Sequence, residues 1–280
     1  MSFIYEVTEV FLLLMEDILG RTRPIGVFDS GVGGISVLKK LKERLPFESF
    51  VYYSDSKNAP YGKLTEYAIL GFTDKAVGTL FSLGCKAVVI ACNTATAVAA
   101  ESLRMKYPFP IIGLEPALRP AEAEFPEGRI LLLATPVTLR GGKFKKLFNE
   151  IERGNVTCVS APELVGFVET GRGNSVEAVA YLKSLLDNVD NDRCDNGTLG
   201  TDRFDACVLG CTHFPFAKAA ISEALGYEVK FFDGADGAAK RLEAELKARS
   251  ILNFSDENGV VLWNEIYPSG LQLKLFDDEI

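Results

Sequence analysis

The chain has 280 residues and a mass of 30.6 kDa, enough for about two domains at roughly 150 residues each. Hydrophobic residues make up 48% and charged residues 24%, a globular composition that excludes disordered and fibrous classes. Acidic residues number 38 and basic residues 30, a net charge of -8. This balance argues against nucleic acid as a partner, because binding phosphates requires a basic surface.

Cysteine usage and the N-terminus both indicate a cytoplasmic protein. The 6 cysteines are too few for a disulfide framework, and the single histidine excludes a multi-histidine metal site. The first apolar run, residues 11–15, lies among acidic residues, which disfavours a signal peptide. No apolar run reaches the roughly 18 residues that a membrane span needs. We therefore predict free thiols, no membrane partner and no bound metal.

The N-terminal extension, residues 1–23, carries one helical pattern. Apolar residues at positions 4, 7, 11, 14 and 18 form a single stripe, and Gly20 can end the helix. We interpret this segment as a helix docked on the body of the protein. A dimer contact and a regulatory appendage are the alternatives.

Strand-like runs and helical patterns then alternate, as in a parallel sheet covered by helices. The first series has strands at 25–28, 49–53, 87–91 and 110–113, with helices ending near 44 and at 65–83 and 95–106. A hinge is predicted at 115–120. The second series has strands at 129–133, 156–159, 206–210 and 228–232, with helices at 136–149, from about 165, at 216–225 and at 235–249. Residues 187–202 predict an exposed polar loop.

Two parts of the chain repeat one pattern. Residues 87–94 and 206–213 each contain an apolar strand, a small residue, a cysteine and polar residues, with Cys92 and Cys211 at matching positions. A fainter match, in the same order, pairs residues 25–30 with 130–135. The repeat predicts an α/β fold of two similar parallel-sheet domains, with the active site in the cleft between them.

Cys92 and Cys211 are the candidate catalytic pair, although a single buried cysteine is more often an inert core residue. Each follows a strand and leads towards a helix N-terminus, whose dipole should lower the thiol pKa below its usual value of about 8.5. Two opposed thiols suit a reaction in which one removes a carbon-bound proton and the other returns a proton on the opposite face. Such a reaction needs no metal or cofactor if the site stabilises the carbanion.

Three further motifs lie near the predicted cleft. Asp29 begins an Asp-Ser-Gly-Val-Gly-Gly segment that matches phosphate-binding loops poorly. We interpret it as a tight turn that brings Asp29 and Ser30 into the cleft, to accept a substrate ammonium or orient a base; capping of the next helix is the alternative. His213 lies two residues after the second thiol and can tune it or relay a proton to it; an ordinary surface or core histidine is the alternative. Tyr61 and Gly62 end a turn that is either ordinary or a backbone site for a carboxylate.

These motifs together resemble glutamate racemases, within the cofactor-independent aspartate/glutamate racemase superfamily. The matching segments are 25–34, 52–55 with 60–62, 89–95, 115–117, 167–169 with Gly171, and 209–213. They occur in the family order and span about residues 24 to 240.

The resemblance implies interconversion of L-glutamate and D-glutamate without a cofactor, supplying D-glutamate for peptidoglycan. Cys92 and Cys211 would be the acid/base residues, assisted by Asp29 and His213, respectively. Substrate would be held by Asp29, Ser30, Tyr61, Gly62, Asn93, Thr94, Thr212 and His213. Three other residues match positions near the cleft, namely Asp55, Thr135 and Glu169.

The resemblance also implies the domain organisation and the partners. Residues 24–117 and 216–280 would form the first domain, and residues 118–215 the second. A homodimer is expected because family members often dimerise, and a cell-wall-precursor effector is expected because some members with an N-terminal extension respond to one. The alternatives are racemization of another amino acid or a hydantoin, and an amino-acid-binding protein without catalysis.

Overall fold

The computed structural model describes residues 20–151, 155–191, 203–254, 259–263 and 270–277. The strands are β1 (Ile25–Asp29), β2 (Phe50–Ser54), β3 (Ala87–Ile90), β4 (Ile111–Gly113), β5 (Ile130–Ala134), β6 (Val156–Ser160), β7 (Ala206–Gly210), β8 (Lys230–Asp233) and β9 (Val261–Trp263). The helices are α1 (Ile35–Arg44), α2 (Glu66–Ser82), α3 (Asn93–Lys106), α4 (Leu118–Glu124), α5 (Pro136–Arg140), α6 (Gly142–Asn149), α7 (Pro162–Glu169), α8 (Val176–Asn191), α9 (Lys218–Leu225), α10 (Ala235–Ala248) and α11 (Gly270–Asp277).

The described strands form two parallel sheets, which define a first and a second lobe. The first sheet has the order β4-β3-β1-β2-β9, and the second has the order β6-β5-β7-β8. Every residue of β1, β5 and β7 is buried. Continuous apolar strands of this kind are typical of parallel sheets covered by helices on both faces.

The two sheets confirm the predicted repeat. Read in reverse, the second sheet is β8-β7-β5-β6, which matches β4-β3-β1-β2 strand for strand. Strands β3 and β7, which precede the two candidate thiols, are therefore equivalent. In both sheets this strand lies beside the central strand, β1 or β5.

One part of the predicted domain organisation is wrong. The resemblance predicts residues 216–280 in the first domain, but β8 pairs with β7 in the second sheet, and α9 packs on α8. Strand β8 is needed there as the counterpart of β4. The chain returns to the first lobe afterwards, where α10 and α11 pack on α1 and β9 pairs with β2.

Several helix boundaries also differ from prediction. The helix predicted over 136–149 is broken at Gly141, whose extended backbone, followed by a second glycine, separates α5 from α6. A 3₁₀ turn at Phe214–Ala217, containing Pro215, precedes α9. Helix α8 continues to Asn191, through the start of the predicted polar loop. The rest of that loop and the predicted stripe at residues 4–18 lie outside the described residues.

Apolar side chains cover both faces of each sheet. One cluster joins the inner faces of the two sheets through α1, α7 and α10, and is continuous between the lobes. A second cluster packs α2 and α3 on the first sheet, and a third packs α4 and α6 on the second. Among the helices that the structure describes, none combines the length and the apolar character needed to cross a membrane.

Candidate active site

The carboxyl ends of strands from both sheets meet at one buried place between the lobes. Asp29 ends β1, and Thr212 follows β7; the Thr212 hydroxyl donates to Asp29 Oδ2 at 3.0 Å. Thr94, in the first turn of α3, and Thr135, directly after β5, have hydroxyl oxygens 2.9 Å apart. These contacts join the lobes, so strand ends distant in sequence form one site.

Cys92 lies at this junction as the N-cap residue of α3. Its sulfur accepts hydrogen bonds from the Ser30 hydroxyl and the Ala95 amide, both at 3.4 Å. Burial raises the pKa of Cys92 to about 12, and the charge of Asp29 acts in the same direction, whereas each of these hydrogen bonds acts to lower the pKa. Burial, the largest influence on this thiol, thus opposes the lowering that a helix N-terminus alone predicts.

Cys211 approaches the site from the second lobe and has different neighbours. Its sulfur lies 3.7 Å from His213 Nδ1, and the 3₁₀ turn rather than an α-helix follows it. The charge of Cys211 is among the influences that raise the pKa of Cys92. Thr212, next to Cys211, donates to Asp29, and Ser30, next to Asp29, donates to Cys92. A short chain of contacts therefore joins the two thiols, one from each lobe.

His213 connects Cys211 to Glu169, the last residue of α7. His213 Nε2 lies 2.5 Å from Glu169 Oε1, and the Val32 amide donates to the same oxygen at 2.9 Å. Burial acts to lower the pKa of His213, but the contacts with Cys211 and Glu169 outweigh it and raise the pKa well above its usual value. As an imidazolium, His213 can donate to both neighbours.

Asp29 is fully buried, and its carboxylate is held on both sides. The Gly31 amide donates to Oδ1 at 2.9 Å, opposite the Thr212 hydroxyl on Oδ2. Burial raises the pKa of Asp29 to about 6, against the opposing charge of His213. An acid with this pKa can change protonation state near neutral pH.

The glycines after Asp29 are required by close contact with the second lobe. A Cβ atom on Gly31 would lie 1.8 Å from Glu169 Oε1, and one on Gly33 would lie 2.4 Å from His213 Nδ1. Side chains at these positions would displace the Glu169 carboxylate and the His213 ring. The predicted tight turn therefore also serves as the surface against which the His213–Glu169 pair packs.

The other residues predicted to bind substrate lie around the two thiols and make contacts of their own. The Tyr61 hydroxyl donates to Asp55 Oδ2 at 2.7 Å, and Gly62 faces Thr135 across the lobes. Asn93 directs its amide nitrogen to the Leu114 carbonyl at 3.3 Å, towards the hinge. Its buried Oδ1 has no hydrogen-bond partner among the described residues, which leaves an acceptor available to a ligand.

Sequence reasoning missed three side chains that support the site. Tyr52 and Ser54 both donate to the Gly31 carbonyl at 2.9 Å, and Ser36 donates to the Thr212 carbonyl at 3.1 Å. Tyr52 and Ser54 are spaced two apart on β2, so one sheet face carries both, but only the fold shows that this face meets the turn after Asp29.

The part of the chain that the structure describes holds no group of three or more His, Cys, Asp or Glu side chains placed to bind a metal. The polar groups of the site form two hydrogen-bonded sets, one around Cys92 and one around Cys211. Fold and site thus define a two-lobed α/β protein whose cleft brings together buried groups able to move protons.

Comparison with known proteins identifies the family. The model for the Asp/Glu/hydantoin racemase family matches residues 25–242. A glutamate racemase from Clostridium novyi (strain NT) is 42% identical over 240 residues, covering 85% of this chain and 89% of the relative.

Solved structures agree with this match. Glutamate racemase from Thermus thermophilus, in complex with β-chloro-D-alanine, superposes with a TM-score of 0.69 at 32% identity, covering 87% of each chain. The Escherichia coli glutamate racemase, in complex with L-glutamate and the activator UDP-MurNAc-ala, gives 0.73 at 26% identity, covering 91% of this chain and 92% of the other. The chain therefore belongs to the Asp/Glu/hydantoin racemase family and is an enzyme of the isomerase class.

Proposed function

We propose that this enzyme interconverts L-glutamate and D-glutamate with Cys92 and Cys211 as its acid and base. One observation carries the proposal: equivalent strands of the two lobes, β3 and β7, each lead to a buried cysteine, and a short chain of contacts through Ser30, Asp29 and Thr212 joins the two thiols. A substrate carbon between them would be open to one sulfur on each face. This arrangement is what inversion of a stereocentre by proton transfer requires.

The proton transfers balance without an outside reagent. One cysteine, as the thiolate, takes the α-proton, so an S–H bond forms and the C–H electron pair stays on the substrate. The opposite thiol then gives its proton to the other face of that carbon and becomes the thiolate. His213, 3.7 Å from Cys211, can hold or return a proton on that side, and Asp29 acts electrostatically on Cys92.

Substrate binding would replace contacts that now join the lobes. The Thr94 and Thr135 hydroxyls bond to each other, and the Thr212 hydroxyl bonds to Asp29. We propose that glutamate carboxylates accept from the threonine hydroxyls, and that the substrate ammonium donates to Asp29. A positive ammonium there would also favour the thiolate of Cys92, against the burial that raises the pKa of this thiol.

Glutamate is favoured over the other substrates of the family. Support comes from relatives such as the Clostridium novyi protein, which is named as a glutamate racemase and covers most of the chain. Racemization of aspartate or a hydantoin is the alternative within the family, and a panel of these substrates decides between them. We further propose a cytoplasmic location and a role in supplying D-glutamate for peptidoglycan, as the family resemblance implies.

The test is α-proton exchange in heavy water. Incubation with L-glutamate should give both enantiomers, with one solvent deuterium at Cα of the product, as followed by chiral chromatography and mass spectrometry. Saturable glutamate binding without exchange or inversion would reject the proposal in favour of a binding protein. Exchange of the α-proton of aspartate or a hydantoin, but not of glutamate, would reject glutamate as the substrate.

We also propose regulation by an anionic cell-wall precursor such as the one bound to the Escherichia coli enzyme. A groove of about 1260 Å³ runs beside the hinge residues Glu115 and Pro116. It is lined by six basic residues, Lys40, Arg104, Arg119, Lys240, Arg241 and Arg249, and by four acidic ones, Glu115, Asp233, Asp236 and Glu245. Most of these basic residues pair with carboxylates, as Lys240 does with Asp236 and Arg119 does with Glu150, and a phosphate-bearing ligand would compete for them.

Adding UDP-MurNAc-ala should change the rate of glutamate turnover, and Lys240→Glu should weaken that response while leaving the basal rate unchanged. Absence of both binding and rate change would reject this regulation. The predicted homodimer is tested separately, by sedimentation of the full chain at several concentrations.

A further inference from the structure

We infer that Thr96 is a positioning residue that fixes the turn carrying Cys92 to the hinge between the lobes. Thr96 is the fourth residue of α3 and is only 3% exposed. It lies outside the set of residues proposed to touch substrate. The inference rests on the proposed two-thiol reaction, since it concerns the placement of one of the thiols.

Thr96 holds the chain on both sides of Cys92. Its amide donates to the Cys92 carbonyl at 2.9 Å, which forms the first hydrogen bond of the helix. Its hydroxyl donates to the Ile90 carbonyl, at the end of β3, at 3.0 Å. One residue thereby sets the distance between the strand end and the helix start, and Cys92 lies between these two anchors.

The same hydroxyl reaches the hinge. The amide of Leu114 donates to Thr96 Oγ1 at 3.0 Å, and the Leu114 carbonyl accepts from Asn93 Nδ2 at 3.3 Å. Both backbone polar groups of Leu114 are therefore held by the first turns of α3. Leu114 directly precedes the Glu115-Pro116 segment, through which the chain passes to α4 in the second lobe.

Close packing leaves little freedom in this connection. A Cβ atom on Gly113 would lie 2.5 Å from Thr96 Cγ2, so the end of β4 is pressed against the threonine methyl group. Movement of the hinge would be transmitted through Leu114 and Thr96 to the turn that holds the Cys92 sulfur. The threonine hydroxyl thus keeps this sulfur in register with the second lobe.

Thr96→Val tests the hydroxyl because valine keeps the shape while leaving the Leu114 amide and the Ile90 carbonyl without this partner. We expect kcat/KM for glutamate to fall by about tenfold to a hundredfold, as for a catalytic group displaced by a fraction of an ångström. Thr96→Ser, which keeps the hydroxyl, should restore most of the rate. Thr73→Val is the matched control: Thr73 is fully buried in α2, and its hydroxyl donates within that helix, to the Ile69 carbonyl.

Isotope effects separate displacement of Cys92 from a general loss of structure. If only the proton transfer to or from Cys92 slows, that transfer limits the overall rate more strongly, whichever enantiomer is the substrate. The primary deuterium effect should then rise for the α-deuterated enantiomer that Cys92 deprotonates, and fall for the other. A structural loss would lower the rate with both isotope effects unchanged.

The outcomes distinguish this inference from the proposed function. Loss of rate in Thr96→Val, diverging isotope effects and rescue by serine support the positioning role. A rate equal to wild type, or a loss equal to that of Thr73→Val with unchanged isotope effects, overturns it. If the wild-type chain does not racemise glutamate, or if racemization survives Cys92→Ala, the proposed function itself fails.

Discussion

The two thiols occupy equivalent strand ends but have different surroundings. Cys92 follows β3 and caps an α-helix, so its sulfur accepts from Ser30 and from the Ala95 amide. Cys211 follows β7 and precedes a 3₁₀ turn, so its sulfur faces the His213 ring instead. The repeated fold therefore provides the opposed positions, while the segment after each strand decides which groups surround the sulfur.

This difference divides the proton chemistry between the lobes. On the Cys211 side, His213 and Glu169 form a buried pair that can carry a proton. On the Cys92 side, the nearby ionisable group is Asp29, and burial together with its charge keeps Cys92 protonated. We therefore expect changes on the two sides to affect different steps of one reaction.

The largest expected effect comes from removing either sulfur. Cys92→Ala and Cys211→Ala should each reduce kcat by about a thousandfold or more, because each removes an acid/base group. Polarimetry with each enantiomer as substrate measures this loss. Cys158→Ala, at an exposed cysteine on β6, is the control and should keep the wild-type rate. Equal activity in all three variants would contradict the acid/base roles proposed for Cys92 and Cys211.

Loss of the Glu169 charge should act chiefly on the Cys211 side. Glu169→Gln leaves His213 without its buried counter-ion, so we expect kcat/KM to fall by about a hundredfold. The primary deuterium effect should rise for the enantiomer that Cys211 deprotonates and fall for the one that Cys92 deprotonates, the reverse of the pattern expected for Thr96→Val. Glu163→Gln, on the same helix but exposed, controls for the substitution. Isotope effects that change in the same direction as in Thr96→Val would show that Glu169 does not act on the Cys211 step.

The pH profile should report on Asp29. Burial raises its pKa to about 6, so the carboxyl group becomes neutral below this pH and no longer attracts the substrate ammonium. We expect kcat/KM to fall as pH drops through about 6, with a limiting slope of about tenfold per pH unit. Residual activity in Asp29→Asn should lack this limb. A limb that persists in the variant would assign the titration to another group.

The smallest expected effect concerns stability. Serine is a preferred N-cap residue, so Cys92→Ser should raise the free energy of unfolding by about 0.5 kcal/mol. Cys211→Ser should give no such gain, because no α-helix begins at that residue. Urea unfolding of both inactive variants measures the difference. An equal gain at both positions would show that capping does not distinguish them.

The sequence by itself determined the alternation of strands and helices, the repeat and the two cysteines that end equivalent strands. These features are local, since apolar runs and the residues that follow them are fixed by position along the chain. The motifs also indicated the family, which the relatives confirm. The predicted roles of the individual site residues stay predictions.

Only the tertiary structure decided which groups meet across the cleft. The contacts of Thr212 with Asp29, Glu169 with His213 and Leu114 with Thr96 join distant segments or the hinge to the helix, and no sequence spacing encodes them. It also placed β8 in the second sheet and raised the pKa of Cys92 where the helix dipole alone predicted lowering. Burial is a property of the whole packed molecule, and removal from water is the largest influence on the pKa of this thiol.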